Sequence, residues 1–349
     1  MAENLNAAKK AQNDEFYTQY PDIQKEINAY LEYNPEVFRN KTVLLPCDDP
    51  EWSNFTKFFA QNFENFGLKK LISTSYAIES KKYKTDWQPT LFETENPLFN
   101  LDKSKRSGKI FVLDHDTNAN GKIDIDDLQW QYLEGDGDFR SDEVKRLRDE
   151  ADIIVTNPPF SLFREFVRWL MESKKLFLII GNINSVTCRE IFPLIRENKM
   201  WIGATMTGSG QHWFRIPDWY DNGLIKIIDG QRFATIGGAS WYTNIDHGKR
   251  HQPMQLMSMA DNIKFSKHKD VRGLNYQKYD NYDAIEIPHA DSIPNDYEGI
   301  MGVPLSFMDK YCPEQFEILG TEAELNIPKG RGYVNGKRLY SRIFIRKKQ

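Results

Sequence analysis

The stretch ADIIVTNPPFSLFREFVRWLMESKKLFLIIGNI (151–183) contains the pieces that decide the fold. ADIIVTN carries a short run of β-branched apolar residues, SLFREFVRWLMES has apolar side chains at helical spacing, and KLFLIIGNI is a second apolar run. Short apolar strands that alternate with helices are typical of a parallel sheet covered on both faces. The stretch therefore predicts a strand–helix–strand unit of an α/β fold.

The same alternation continues along the chain. KTVLLPCDDP (41–50) and KKLISTSYAI (69–78) predict strands, and SNFTKFFAQNFENFG (53–67) predicts a helix that ends at Gly67. After residue 205 the chain is rich in Gly, Trp and Tyr, with short strands and little helix. We predict an open, mostly parallel, doubly wound sheet followed by an irregular β-rich region. The predicted divisions are an N-terminal helical segment (1–40), the sheet domain (41–205) and the β-rich region (206–349).

The composition excludes several classes of protein. The 349 residues are 40% hydrophobic and 28% charged, as in an ordinary globular protein. The longest apolar run is too short to span a bilayer, and the N-terminus lacks the apolar segment of a secretory signal. Cys47, Cys188 and Cys312 are widely spaced and odd in number, which favours reduced thiols over disulfides or a zinc cluster. We therefore expect a cytoplasmic protein without a membrane segment.

Three polar turns follow predicted strands: PCDDPEWSNF (46–55), EGDGDFRS (134–141) and TNPPF (156–160). Such turns meet at the carboxyl edge of an open parallel sheet, where ligands bind. Asn157 offers an amide, Pro158 and Pro159 form a stiff turn with carbonyl acceptors, and Phe160 offers a flat apolar face. This set suits a planar group with an exocyclic NH₂. Alone, TNPPF is equally consistent with a capped strand-to-helix turn, but the three turns together predict a site for a nucleotide-like cofactor and a planar acceptor.

The ordered motifs resemble one enzyme family. Asn-Pro-Pro-Phe after a buried strand is similar to motif IV of the S-adenosylmethionine-dependent amino-methyltransferases. The EcoRI-type adenine-specific DNA methyltransferases resemble this chain in DEFYTQY (14–20), CDDPEWSNF (47–55), GDGDFRS (135–141), IIVTNPPFSLF (153–163), YDAIEI (282–287) and GIMGVPLSF (299–307). The similarity runs from about residue 14 to the end, with an extra-looking segment near 79–131. It implies a bacterial or phage-encoded enzyme with a Rossmann-like, class I catalytic domain at 41–205 and target recognition at 206–349.

The resemblance also implies the reaction. A methyl group would pass from S-adenosylmethionine to N6 of an adenine in duplex DNA, within a restriction-modification system. The target base must leave the helix stack to be reached. The Asn157 side-chain oxygen and the Pro158 carbonyl would accept from the N6 amine, Pro159 would keep the turn rigid, and Phe160 would stack on the base.

Cofactor contacts follow from the same resemblance. The implied contacts are Tyr17, Thr18, Cys47, Asp48, Asp49, Pro50, Tyr76, Asp138, Phe139 and Asn157. Tyr17 and Thr18 would line the methionine end. Asp138 would accept from the adenine amine, and Phe139 would pack beside that ring. The turn 47–50 lacks the glycines usual after the first strand of the broader superfamily.

The C-terminus predicts contacts with DNA. Eight basic residues and no acidic ones occur between 329 and 348, with aromatic residues among them. Such a strip can bind a phosphate backbone on a protein with a net charge of −4. The predicted DNA contacts are Lys329, Arg331, Lys337, Arg338, His212 and Trp213. A solvated hairpin around VNGKR is the alternative. The expected partners are double-stranded DNA and a restriction endonuclease acting on the same site, and we expect a monomer.

One segment fits a different chemistry. In DTNANGKIDIDD (116–127), Asp116, Asn118, Asn120 and Asp127 match positions of a twelve-residue calcium loop. A polar turn between two strands is the alternative, and the lack of a predicted helix entering the loop favours that turn over calcium. Two other functions stay open: methylation of RNA guanine or a protein glutamine, and an inactive methyltransferase fold whose calcium loop binds a partner.

Overall fold

A mixed eight-stranded sheet is the centre of the computed structural model, which describes residues 18–48, 53–77, 94, 97–207, 212–216, 220–221, 224–235 and 237–348. The strands in these ranges are β1 (Thr42–Leu45), β2 (Lys70–Ser75), β3 (Lys109–Leu113), β4 (Gln129–Tyr132), β5 (Ile153–Thr156), β6 (Leu176–Asn182), β7 (Trp201–Thr207), β8 (Trp213–Arg215), β9 (Ile225–Ile228), β10 (Gln231–Thr235), β11 (Ala239–Thr243), β12 (Ile285–Glu286), β13 (Met301–Pro304), β14 (Phe316–Thr321), β15 (Tyr333–Val334), β16 (Lys337–Arg338) and β17 (Arg342–Lys347). The order in the large sheet is β4-β3-β2-β1-β5-β6-β11-β7.

Several helices begin or end at residues with capping chemistry. The α-helices of the described ranges are α1 (Tyr20–Tyr33), α2 (Asn54–Gln61), α3 (Phe63–Phe66), α4 (Leu101–Arg106), α5 (Asp142–Glu150), α6 (Phe163–Ser173), α7 (Phe192–Arg196) and α8 (Met259–Phe265). The Ser53 side chain accepts from the Phe55 N–H at the start of α2, and Ser141 accepts from the Val144 N–H at the start of α5. Gly67 ends α3 in a left-handed conformation, with φ of 60°. The cap at Gly67 confirms the predicted end of that helical segment.

The direction of the strands corrects one prediction. Strands β2, β1, β5 and β6 are mutually parallel, but β3 runs antiparallel to β2 and β11 runs antiparallel to both β6 and β7. Six of the eight strands point the same way, yet only three of the seven neighbouring pairs are parallel. The α/β class is therefore confirmed, while the mostly parallel sheet is corrected to a mixed one. The physical reason is that β3 and β4 pair as antiparallel neighbours and β11 returns between two strands of the opposite direction.

The sheet has apolar layers on both faces because its side chains alternate. Leu44 of β1 lies in the same buried cluster as Phe166 of α6, whereas Val43 lies in the cluster that contains Phe59 of α2. The α6 stripe Phe163, Phe166, Val167 and Leu170 is buried, as its spacing predicts. Helices therefore cover the central strands on both sides and leave their carboxyl edge as the place for a site.

The C-terminal part contains three smaller sheets. Their strand orders are β8-β10-β9, β12-β13-β17-β14 and β15-β16. The division of the chain at residues 205 and 206 stays a prediction, and the structure adds that β11 is an inner strand of the large sheet. Among the described residues, no helix has the length and apolarity needed to cross a bilayer.

Candidate active site

Two of the predicted turns meet at the carboxyl edge of the large sheet. Thr156, the last residue of β5, donates its hydroxyl hydrogen bond to Asp48 Oδ2 at 2.6 Å and also contacts the Pro46 carbonyl. Ser53 donates to Asp48 Oδ1 at 2.8 Å, and Ser73 of β2 donates to the Asp48 carbonyl. Asp48 is only 7% exposed. Its carboxylate therefore holds the turn after β1 against β5, next to Asn157.

The turn after β1 is tightly bent at Cys47. Its φ of 69° is in the left-handed region, which a residue with a Cβ rarely adopts, and its side chain is half-buried against the apolar core. Because the neighbouring Asp48 is fixed by three hydroxyl groups, the strained backbone is held in place. Predicted contacts Asp49 and Pro50 lie outside the described residues.

Asn157 contacts the N-terminal segment. Its Nδ2 donates to Thr18 Oγ1 at 3.4 Å, and the Thr18 carbonyl accepts from Asn54 Nδ2 at 2.7 Å. Thr18 is 3% exposed. The amide nitrogen of Asn157 thus faces the protein, which leaves the side-chain oxygen as the acceptor of this group. Predicted contact Tyr17 lies outside the described residues.

The two prolines and Phe160 differ in their surroundings. Pro158 is buried, while Pro159 and Phe160 are half-buried. The Pro159 carbonyl accepts from the Leu162 N–H at 2.9 Å and so starts the 3₁₀ turn Phe160–Leu162 that leads into α6. The carbonyl of Pro159 therefore belongs to the hydrogen bonding of the turn itself. Phe160 packs at the margin of the apolar layer that contains α2.

The third predicted turn reaches the same edge through Tyr76. The Tyr76 phenol hydrogen-bonds with the Phe139 backbone, and Ala77 N–H donates to the Asp136 carbonyl at 2.8 Å. Burial, with smaller contributions from Cys47 and Asp138, raises the pKa of the Tyr76 phenol well above its usual value. Gly137 allows this approach, because a Cβ there would lie 2.3 Å from the Ser75 carbonyl oxygen. All three predicted turns thus converge.

Asp138 and Phe139 have partners that sequence reasoning missed. Arg140 holds the Asp138 carboxylate through both Nε, at 2.9 Å from Oδ1, and Nη2. This hydrogen bonding, opposed by partial burial, raises the pKa of Arg140. Phe139 is 0% exposed and packs edge-on against Phe166 and Trp169 in the core. The ring has no exposed face in the structure, and its predicted packing beside the cofactor stays a prediction.

The predicted DNA contacts near the C-terminus fall into three groups. Lys337 and Arg338 are exposed on the β15–β16 hairpin, whose turn residues Asn335 and Gly336 both have positive φ. Arg331 instead lies 3.7 Å from the buried Glu322 and donates to Ser341 at 2.8 Å, so it stabilises the C-terminal sheet region. For Lys329 only the backbone belongs to the described part of the chain.

His212 and Trp213 lie at the start of the three-stranded sheet. Burial lowers the pKa of His212, and the Asp22 carboxylate on α1 acts in the opposite direction. The Trp213 ring has Lys226 Nζ 3.9 Å from its centre, a cation–π arrangement. Neither residue belongs to the turns at Asn157, so their predicted contact with DNA depends on where the duplex lies.

In the candidate calcium loop, the side chains that match calcium-binding positions accept hydrogen bonds from backbone N–H groups of the same loop. Asp116 accepts from the Asn120 and Gly121 N–H groups, and Asp127 accepts from the Thr117 and Asn118 N–H groups. Asn118 and Asn120 each accept from the N–H two residues further on. The loop joins β3 to β4, which pair antiparallel, so the predicted turn between strands is confirmed. Calcium binding stays a prediction.

A histidine pair elsewhere in the described residues was not visible in the spacing of the sequence. His268, Asp270 and His289 bring potential metal ligands within 4.8 Å of one another. Each histidine hydrogen-bonds to an aspartate, His268 to Asp291 and His289 to Asp270, and the two rings stack 3.7 Å apart at 8°. Ring nitrogens bind metals in the plane of the ring, and parallel stacked planes do not converge on one ion. The arrangement is therefore two His–Asp hydrogen-bonded pairs whose rings stack.

The chain matches proteins of known activity over almost its whole length. A family model described as "Adenine-specific methyltransferase EcoRI" matches residues 4–348. Type II methyltransferase M.EcoRI of Escherichia coli is 40% identical over 348 residues, 99% of this chain and 96% of that protein. Type II methyltransferases M.MpnI of Mycoplasma pneumoniae and M.MgeORF184P of Mycoplasma genitalium are 35% and 34% identical, each over 99% of this chain. These two alignments span 98% and 99% of the respective Mycoplasma proteins. No solved structure gives a significant match.

Proposed function

The chain belongs to the EcoRI family of adenine-specific DNA methyltransferases, and we propose that the turn 157–160 carries out the transfer to N6 of an adenine flipped out of duplex DNA. The observation that carries this proposal is the position of Asn157. It follows β5 at the carboxyl edge of the sheet, and its amide nitrogen donates to Thr18, so that its oxygen is the atom of the group that can accept from an amine.

The chemistry needs fixed acceptors more than a base or a nucleophilic side chain. The N6 lone pair of adenine is conjugated with the ring, and it attacks only when the amine becomes tetrahedral. Asn157 Oδ1 and the Pro158 carbonyl would each accept one N6–H, which favours that shape and stabilises the positive charge that develops on nitrogen. Asn157 Oδ1 is shielded from solvent, and in such surroundings electrostatic stabilisation is strong. Entry of the base must therefore displace the groups that cover this oxygen.

The family implies S-adenosylmethionine, which supplies the electrophilic methyl group. The side chains at the sheet edge suit its two ends. Asp138 and Tyr76 are an acceptor and a hydroxyl that suit the amine and hydroxyl groups of a nucleoside, and Thr18 adjoins Asn157 at the other side. Arg140 holds the Asp138 carboxylate in place. Oδ1 accepts from both the backbone N–H and Nε of Arg140, whereas Oδ2 accepts from Nη2 and has a second lone pair that suits an amine.

Exposed cations near the C-terminus favour a role in binding the duplex. Lys337 and Arg338 extend on a two-residue hairpin turn whose backbone N–H groups donate to Asp280. This attachment holds two cations in a fixed position, which suits contact with phosphate groups. The Type II names of the relatives favour a restriction endonuclease that acts on the same site, as a partner in function and without direct contact.

Family membership favours DNA adenine over the two rival acceptors, RNA guanine and protein glutamine. It also weighs against an inactive fold, since the relatives carry methyltransferase names. Calcium has no step in the proposed reaction. In the loop that resembles a calcium site, the Asp116 and Asp127 carboxylates accept from backbone N–H groups of the same loop.

Replacing Asn157 by Ala tests the proposal. The change removes an acceptor that acts on developing charge, so we expect turnover to fall about 100-fold or more while binding of DNA and cofactor stays largely intact. The measurement is transfer of labelled methyl to genomic DNA, with isothermal titration for both ligands. Asn62→Ala, a half-buried amide that bonds to Phe58 at the far end of α2, is the control. Near-normal turnover of Asn157→Ala would refute the proposed role.

A further inference from the structure

Three exposed aliphatic side chains lie together on one hairpin. Leu224, Ile227 and Ile228 are 61%, 69% and 45% exposed, and all three lie on or next to β9. The hairpin turns at Asp229 and Gly230, whose φ values of 50° and 74° match the two-residue turn that keeps antiparallel strands in register. Branched aliphatic side chains on a short, rigid hairpin cost free energy in water and indicate a contact surface.

The three-stranded sheet that carries this hairpin is anchored to the core. Phe214 of β8 and Ala234 of β10 are 1% and 0% exposed, and Phe214 belongs to the same apolar cluster as Ile23 and Ile27 of α1. The apolar tip is therefore fixed relative to α1, which follows directly after Thr18.

The hairpin begins and ends at the edge that carries Asn157. Strand β7 points in the same direction as β5, so residue 207 lies at the carboxyl edge, and the antiparallel β11 starts from that edge. The returning chain is bonded to the end of β6, the neighbour of β5. Ile183 N–H donates to the Gly238 carbonyl at 2.6 Å, and Asn182 Nδ2 donates to the Gly237 carbonyl at 3.0 Å. The segment 208–238 therefore leaves from, and returns to, the side of the site.

A duplex at this edge offers a place for the apolar tip. Flipping a base leaves a gap in the stack, and apolar side chains inserted between base steps compensate for lost stacking. Two cations lie beside the tip and suit contact with the DNA backbone: Lys226, next to Trp213, and Arg232. Arg232 also forms an ion pair at 3.1 Å with Asp221, whose side chain is 88% exposed.

We propose that Ile227 and Ile228, at the tip of the β9–β10 hairpin, enter the duplex at the target base pair and fill the space of the flipped adenine. This inference rests on the proposed function, because it requires a base that leaves the stack. The partner that contacts the exposed apolar tip is therefore DNA. The tip extends the surface at which the target base would reach Asn157.

The test compares matched and weakened duplexes. The methylated site is first mapped by sequencing the bases that the wild-type enzyme modifies. The double variant Ile227→Ser, Ile228→Ser then acts on that duplex and on one with an abasic site opposite the target adenine. We expect single-turnover methylation to fall about tenfold or more on the matched duplex and to recover on the abasic one, where the adenine is already unpaired. Fluorescence of 2-aminopurine at the target position reports flipping directly and should be lost in parallel.

Controls separate this inference from the proposed function. Leu176→Ser removes a 36% exposed leucine at the amino end of β6, on the opposite edge, and should leave both rates unchanged. Asn157→Ala should lose methylation on both duplexes while keeping the fluorescence signal, whereas a wild-type enzyme that gives no such signal would overturn the flipped base itself.

The hairpin inference is overturned if the double variant methylates both duplexes normally or loses the same factor on each. It is also overturned if the double variant changes the sedimentation of the DNA-free protein, because the tip would then be a contact between two copies.

Discussion

Asp48 joins four parts of the chain through its side chain and its backbone carbonyl. Its two carboxylate oxygens accept from Ser53 and Thr156, and its backbone carbonyl accepts from Ser73. The turn after β1, the start of α2 and the end of β5 therefore have a common fixed point beside Asn157. Asp48 is predicted to contact the cofactor. In the structure it supports the loop that would make this contact.

Asp48→Asn should loosen this support. The substitution turns one carboxylate oxygen of Asp48 into an NH₂ group, so the Ser53 or Thr156 hydroxyl that donated to that oxygen must accept instead. We expect a loss of about 1–2 kcal/mol in the free energy of unfolding. Cofactor affinity should fall as well, because Asp48 and Ser53 lie beside the end of β5 and the proposed site. Urea unfolding and calorimetric titration measure the two effects. The exposed Asp142→Asn is the control, and equal stability of both variants would contradict the supporting role.

At this scale the sequence predicts which residues meet but not how each is held. Asn157, Asp48 and Asp138 were placed at one edge because turns that follow parallel strands share it, whereas Tyr76 came only from the family resemblance. The pairing of Asp138 with Arg140 depends on side-chain rotamers, which a motif does not encode. Phe139 was assigned to a ligand, although its ring turns into the core towards Phe166.

Helix α1 is attached to the edge strand β7 through Glu26. This carboxylate is 0% exposed and accepts from the Ala204 and Thr205 N–H groups at 2.7 and 2.8 Å, and from the Tyr30 hydroxyl at 2.8 Å. Burial raises the pKa of Glu26, while these hydrogen bonds oppose the rise. The helix that follows Thr18 thereby keeps a fixed position relative to the sheet.

Glu26→Gln should separate these two elements. The amide puts an NH₂ group against donors that need an acceptor, so we expect a loss of about 1–3 kcal/mol in unfolding free energy. Chemical denaturation monitors it, with the exposed Glu32→Gln on the same helix as the control. If Glu26→Gln unfolds at the same denaturant concentration as Glu32→Gln, the carboxylate does not stabilise this junction.

Local patterns predicted elements better than their pairing. The runs at β1, β2, β5 and β6 and the helices α2, α5 and α6 follow from apolar periodicity and caps. The antiparallel direction of β3 and the place of β11 between β6 and β7 depend on contacts between distant segments, such as Tyr242 with Ile179. No window of sequence contains that information.

For the whole molecule, a buried histidine sets part of the response to acid. His247 is 2% exposed, and burial lowers its pKa to about 4. The unfolded chain takes up the proton near pH 6.5 and the folded chain only near pH 4. The stability that His247 contributes is therefore present above pH 6.5 and is lost as the pH falls towards 4.

His247→Gln should remove this dependence. The shift corresponds to roughly 3 kcal/mol, so the stability difference between wild type and variant should change by about that amount between pH 7 and pH 4. Gln can still donate to the Ile202 carbonyl, the present partner of the histidine ring. Urea unfolding at a series of pH values measures the difference. A constant difference across this range would show that His247 is not the group that responds.

The position of β11 also has a consequence for synthesis on the ribosome. Strands β6 and β7 do not pair with each other; both pair with residues 239–243, which emerge later. Until that segment leaves the exit tunnel, β6 presents an open row of backbone donors and acceptors to any other strand. The nascent enzyme therefore has a period of vulnerability to aggregation that ends only when the whole insertion 208–238 has been made.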